Sequence, residues 1–121
     1  MIDHAALEAF LIDAAQRREP VTYSAILAHF AKPVGPVMVR ALMADLGHVC
    51  RRLEPLGLRD IACLVVRKSD GLPGAGYFAY LRDEEGYNGP AEGVFAQTEI
   101  ARRQERIFAI AADVEIMSCG E

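Results

Sequence analysis

The chain has 121 residues, 52% of them apolar, which suits one domain with a modest core and excludes disorder over most of its length. Its net charge of −4 and pI near 5.4 run against the basic excess of dedicated nucleic-acid binders. No apolar run approaches the ~18 residues of a membrane span. The opening MIDHAALEAFL is acidic where a secretory leader would be basic, so export is not expected.

Asp3 is placed to cap a first helix running to about Arg18. Leu7, Phe10, Leu11 and Ala14 fall on one face at i, i+3, i+4 and i+7. Pro20 ends it. Thr22 is an N-cap for a short second helix, with Val21 stapling onto Ile26, and Tyr23, Ile26, Leu27 and Phe30 turned inward. Lys32-Pro33-Val34-Gly35 makes a turn. Pro36 suits the first position of a third helix over residues 36–53. There Val39, Leu42, Met43, Leu46, Val49, Cys50 and Leu53 form one apolar stripe. Arg40, Ala41, Ala44, Gly47, His48, Arg51 and Arg52 form the opposite face, positive and lined with small residues.

Residues 60–68 read as a strand, because the continuous apolar run Ile61 to Val66 implies burial on both faces. A turn over residues 69–76 follows, with positive φ available at Gly71, Gly74 and Gly76. The aromatic run from Gly76 to Leu81 reads as the returning strand. Residues 82–93 form a polar, acidic loop. A last helix spans residues 94–114, and the chain is expected to fray from Met117 onward. Three helices followed by a β-hairpin give an α+β, winged helix-turn-helix-like domain. It occupies residues 1–121 as one unit, with a core at 21–81 and a C-terminal helix at 94–114. That helix carries two apolar lines, one through Val94, Ala101, Phe108 and Ala111 and one through Ile100, Ile107 and Val114. Two lines predict packing on two sides, one of them a homodimer contact.

Catalytic chemistry is hard to assemble. Cys50, Cys63 and Cys119 are odd in number and contain no CxxC pair, so neither a zinc site nor a disulfide framework is indicated. Reduced thiols fit a bacterial-type cytoplasm. His4, His29 and His48 sit on three separate helices with no ligand partner at metal spacing. Cys63, inside an apolar run, reads as a small hydrophobe. Gly71-Leu-Pro-Gly-Ala-Gly76 resembles a phosphate cradle only superficially, since GxxxxGK[ST] and GxGxxG loops open helices and this one is read as leading into a strand. No cofactor and no metal is expected.

Three fragments resemble the DNA-binding half of the alkylguanine-DNA alkyltransferase and alkyltransferase-like family. Pro20-Val21-Thr22-Tyr23 with Ile26-Leu27-Ala28 is similar to its "VTYGEIA" helix start. Val39-Arg40-Ala41 is similar to the "xRAV" of its recognition helix, whose arginine intrudes into the DNA stack. Residues 64–77 are similar to its "HRVV" to "GGY" stretch. The family's reactive Pro-Cys-His-Arg is met here by Ile61-Ala62-Cys63-Leu64, with the cysteine displaced by one and the histidine and arginine missing. The tryptophan of its non-catalytic sensors is absent too. The resemblance therefore implies a winged-helix frame and a DNA role for Arg40, but not alkyl transfer. The chain as a whole also resembles a group of short uncharacterised bacterial proteins.

Between Val21 and Arg82 there are eight Lys/Arg against four Asp/Glu, so the core segment is locally basic despite the acidic total. The leading expectation is a small, non-enzymatic DNA-binding or regulatory protein. Its third helix would lie in the major groove of double-stranded DNA, with Arg40, His48, Arg51 and Arg52 facing the duplex. Arg67 and Lys68 on the wing would touch the backbone. The alternative is a protein–protein interaction adaptor built on the same frame.

Overall fold

The computed structural model describes residues 2–114. Cys119 and the expected fraying from Met117 lie outside them. Helix α1 (His4–Gln16) begins where Asp3 accepts a hydrogen bond from the Ala6 amide at 2.9 Å, satisfying an amide the helix itself cannot pair. Its Leu7, Leu11, Ala14 and Ala15 are fully buried. A two-residue strand β1 (Val21–Thr22) leads into α2 (Tyr23–His29), which Thr22 caps through a 3.1 Å bond from the Ala25 amide. Helix α3 (Pro36–Arg52) starts on Pro36 after Gly35 and buries Leu42, Asp45, Leu46 and Val49; Val39 is only half-buried.

The second half departs from the winged-helix expectation. Residues 59–64 form a 3-10 segment (Arg59–Leu64), not a strand. Only β2 (Val65–Val66) is extended, and it pairs in parallel with β1, Val21 against Val65 and Thr22 against Val66. Both valines of β2 are buried, as a strand covered on both faces requires. The aromatic run is helix α4 (Ala75–Glu85). Pro73-Gly74 breaks the chain ahead of it, and Tyr77, Phe78 and Leu81 then fall on one buried helical face. There is thus no β-hairpin and no wing among the described residues. The chain is mostly helical with one minimal parallel pair. The turn after β2 takes positive φ at Gly71 alone of its three glycines. The acidic residues Asp83, Glu84 and Glu85 form the last turn of α4.

Helix α5 (Gly93–Ala111) packs against α1 and the 3-10 segment. Ile100, Ile107, Phe108 and Ala111 are buried within the chain, while Val94 and Ala101 of the first line stay exposed. Phe108, on the first of these lines, lies under the Arg18 guanidinium, 5.0 Å from its ring centroid. Among the described residues no helix is long and apolar enough to cross a membrane.

Candidate functional site

A cavity of about 300 Å³ opens where α3 meets the start of α2, the 3-10 segment with β2, and α4. Met43, Leu46, Ala62 and Val65 give it apolar walls, and Tyr23, Tyr77 and Tyr80 line it with rings. Arg51, Arg59 and Glu84 supply its charged groups. Helical spacing puts Met43, Gly47, Cys50 and Arg51 on one side of α3, and Arg40 belongs to the same side two turns nearer the N-terminus. The site is therefore a mixed aromatic and apolar hollow beside an arginine-bearing helix face.

Two glycines let the walls close. A Cβ on Gly76 would stand 2.9 Å from the Met43 methyl, and one on Gly74 would stand 2.9 Å from the Tyr23 hydroxyl. That hydroxyl accepts a 3.0 Å hydrogen bond from the Gly74 amide, tying α2 to the entrance of α4. The glycine-rich loop does open a helix, contrary to its reading as a strand entrance. Its Gly74 amide is already engaged by Tyr23, and its glycines serve close packing.

Behind the cavity wall lies a polar network. The Tyr77 hydroxyl donates to Asp60 Oδ1 at 2.5 Å, and Arg103 Nη1 donates to Asp60 Oδ2 at 3.1 Å. Arg103 Nε reaches Glu99 at 2.8 Å, and Arg102 Nη2 joins the same carboxylate at 2.7 Å. Burial raises the Asp60 pKa against the opposing pull of Tyr77 and Arg103. Burial also raises the Tyr77 hydroxyl, helped by the neighbouring Asp60 charge, so it stays a proton donor to that carboxylate. Burial opposes the Arg103 charge, but its bonds to Glu99 and Asp60 win and hold it firmly protonated.

The cysteines are quiet. Burial pushes the Cys50 thiol up to about 11, and Cys63, fully buried, is driven well above its ordinary value, first by burial and then by Asp60. Neither is a thiolate at neutral pH, so neither is an activated nucleophile.

The six residues expected to meet DNA are not brought into one patch. Arg40 is exposed on α3 and has no ion pair with any described residue. His48 is exposed, stacks on His4 with centroids 4.9 Å apart, and accepts a 3.0 Å bond at Nδ1 from Arg51 Nη2. Arg51 is exposed and borders the cavity. Arg52 turns to α1, where it bonds Glu8 at 2.8 Å. Arg67 holds Asp70 through two hydrogen bonds of 3.2 and 2.7 Å, and so serves the turn after β2. Lys68 is exposed in that same turn rather than on a wing.

Residues 20–53 contain a single carboxylate, Asp45, and it is buried, accepting from the Ile2 amide at 3.3 Å and contacting His4 Nε2 at 3.0 Å. The outward surface of α3 thus carries Arg40 and Arg51, with a half-buried Lys32 in the turn before it, and residues 20–53 add no exposed acid. Comparison with family models, with curated proteins and with solved structures found no match, so the likeness to alkyltransferases rests on its three motifs alone.

Proposed function

We propose that this chain is a non-enzymatic DNA-binding protein that meets the duplex with the outward face of α2 and α3. The observation that carries the reading is the acid-free surface of residues 20–53, where Arg40 and Arg51 stand exposed and the one carboxylate is turned inward. A polyanion is favoured by such a face even when the total charge is negative, because charges beyond about 8–10 Å are screened in physiological salt. The similarity of Val39-Arg40-Ala41 to a recognition-helix arginine supports the same assignment. With the wing gone, the reason for placing α3 in the major groove is gone as well, and the face is assigned without a groove.

The competing reading, a protein–protein adaptor, is favoured by the net charge of −4 and by the exposed Val94 and Phe95 at the start of α5. Fluorescence anisotropy with a labelled 20-base-pair duplex separates the two. Binding near 50 mM salt that falls steeply as salt rises supports the DNA reading. No binding at that salt overturns it in favour of the adaptor.

A further inference from the structure

We infer that the turn between α2 and α3 is an apolar wedge that enters a base step of duplex DNA, carried by Val34 and Val37. This deepens the DNA reading above and rests on it. Val34 is 63% exposed and Val37 66%, two of the few large apolar side chains left in solvent among the described residues. They stand three residues apart around Gly35, at the very start of α3.

The tip is stiff. Pro33 and Pro36 each fix φ and carry no amide hydrogen. On the α2 side, Ala31 adopts a left-handed φ of 57°, and the Lys32 amide donates to the Leu27 carbonyl at 2.8 Å. A non-glycine residue held there persists only where its surroundings fix the turn. The valines therefore cannot easily fold back to hide, and their exposure is built into the backbone.

The surroundings choose the occupant. Lys32 precedes the tip and Arg40 follows it, and no exposed carboxylate lies in residues 20–53. A protein interface needs roughly 800 Å² per partner and is usually anchored by aromatic or arginine side chains in a desolvated centre. The nearest aromatic, Phe30, is half-buried beside Phe10 and His29. Two small branched side chains between two cations match something narrower, an opened base step with phosphates on either side. Valine and proline offer no donors with which to read the major groove. Apolar wedges act from the minor groove, unstacking a step and bending the duplex. The cost of opening depends on the step, so the wedge selects flexible pyrimidine–purine steps over stiff A-tracts.

The test uses the full chain and two duplexes of equal length, one with a central TA step bearing 2-aminopurine, one an A-tract bearing it at the same position. Anisotropy reports binding and 2-aminopurine emission reports unstacking. The wedge predicts a severalfold rise in emission on the TA duplex at saturation, little on the A-tract, and tighter binding to the TA duplex. A Val34→Ser/Val37→Ser double variant should bind both duplexes alike, with the salt dependence retained and the emission rise lost. Both residues are exposed, so circular dichroism should show the fold unchanged; Val37→Ile, with Val34 kept, should preserve the rise. Saturated binding with unchanged emission overturns the wedge and leaves the DNA reading standing, as does a double variant that still unstacks. Binding to neither duplex overturns both. Co-sedimentation with phosphatidylserine vesicles in place of duplex binding assigns the tip to a membrane surface and overturns the wedge.

Discussion

Helices α3 and α5 both carry arginines, and Arg40 and Arg51 on the first meet a different fate from Arg102 and Arg103 on the second. On α5, Arg102 and Arg103 find Glu99 one turn back, and Arg103 also reaches Asp60 across the interface with the 3-10 segment. On α3, Arg40 has no such partner among the described residues, and the hydrogen bond of Arg51 runs to His48 Nδ1 rather than to a carboxylate. The difference teaches that an arginine's role here is set by the carboxylates within reach. Where acids are supplied, the guanidinium is consumed in holding elements together. Where the only acid is buried facing the other way, its charge is left for a partner.

The largest effect should come from attacking the consumed side. Arg103→Ala removes a buried cation and leaves Asp60 in a low-polarity site, still bound only by Tyr77. Breaking a buried pair from one side costs about 3–5 kcal/mol, which urea denaturation will show as a matching loss of stability. Arg40→Ala should do the reverse. Its stability should stay within about 0.5 kcal/mol of the parent, while duplex affinity falls roughly tenfold and the salt dependence drops by about one phosphate contact. Arg52→Ala sharpens the contrast, because its guanidinium is already bound to Glu8 and its loss should change duplex affinity far less. If Arg40 and Arg52 behave alike in anisotropy titrations, the distinction between consumed and available arginines fails.

The cavity beside α3 supplies the smaller effects. The Cys50 thiol is raised to about 11 by burial, against an ordinary value of 9.0. A neutral acid whose folded pKa is raised contributes stability below its unfolded pKa and loses it as pH climbs through the folded one. Stability should therefore decline from about pH 9 toward 11. Iodoacetamide alkylation read at Cys50 by peptide mass spectrometry should show its midpoint near the upper end, and Cys50→Ala should remove that residue's share of the decline and leave the share of Cys63. The smallest effect is expected from Gly76→Ala. Its new Cβ meets only the flexible end of Met43, so the cost should stay near 1 kcal/mol or less. Thermal unfolding of Gly76→Ala/Met43→Ala should show the two changes to be non-additive, because they share the cavity wall.

The first three helices were legible because their signals are local. Asp3, Thr22 and Pro36 mark starts by hydrogen-bonding and φ rules that need no distant partner, and the apolar stripe of α3 repeats over several turns. The second half was misread because Ile61 to Val66 is apolar without a period, so strand and buried 3-10 turn look the same. The aromatic run of Tyr77, Phe78 and Tyr80 favoured strand by residue type, although Tyr77, Phe78 and Leu81 also fit one helical face. The true partner of β2 was Val21–Thr22, some forty residues earlier, which no turn signal announces. Arg40 and Arg51 could be placed outside because they oppose the core stripe. The cavity could not be foreseen, since it exists only where four separate segments meet; its one sequence trace was the pair Gly74 and Gly76, which were read as turn residues.

Gln16, at the end of α1, donates from its side-chain amide to the carbonyls of Ala111 at 3.0 Å and Val114 at 2.8 Å, so the end of α5 is closed by a group 95 and 98 residues upstream. On a ribosome that clasp must wait. At about 5–20 residues per second, roughly 5–20 s separate the synthesis of Gln16 from that of Ala111. During that interval α1 can pack on α3 but still awaits α5. The domain should therefore emerge as an aggregation-prone nascent chain that a chaperone can hold, and become protease-resistant in a single late step.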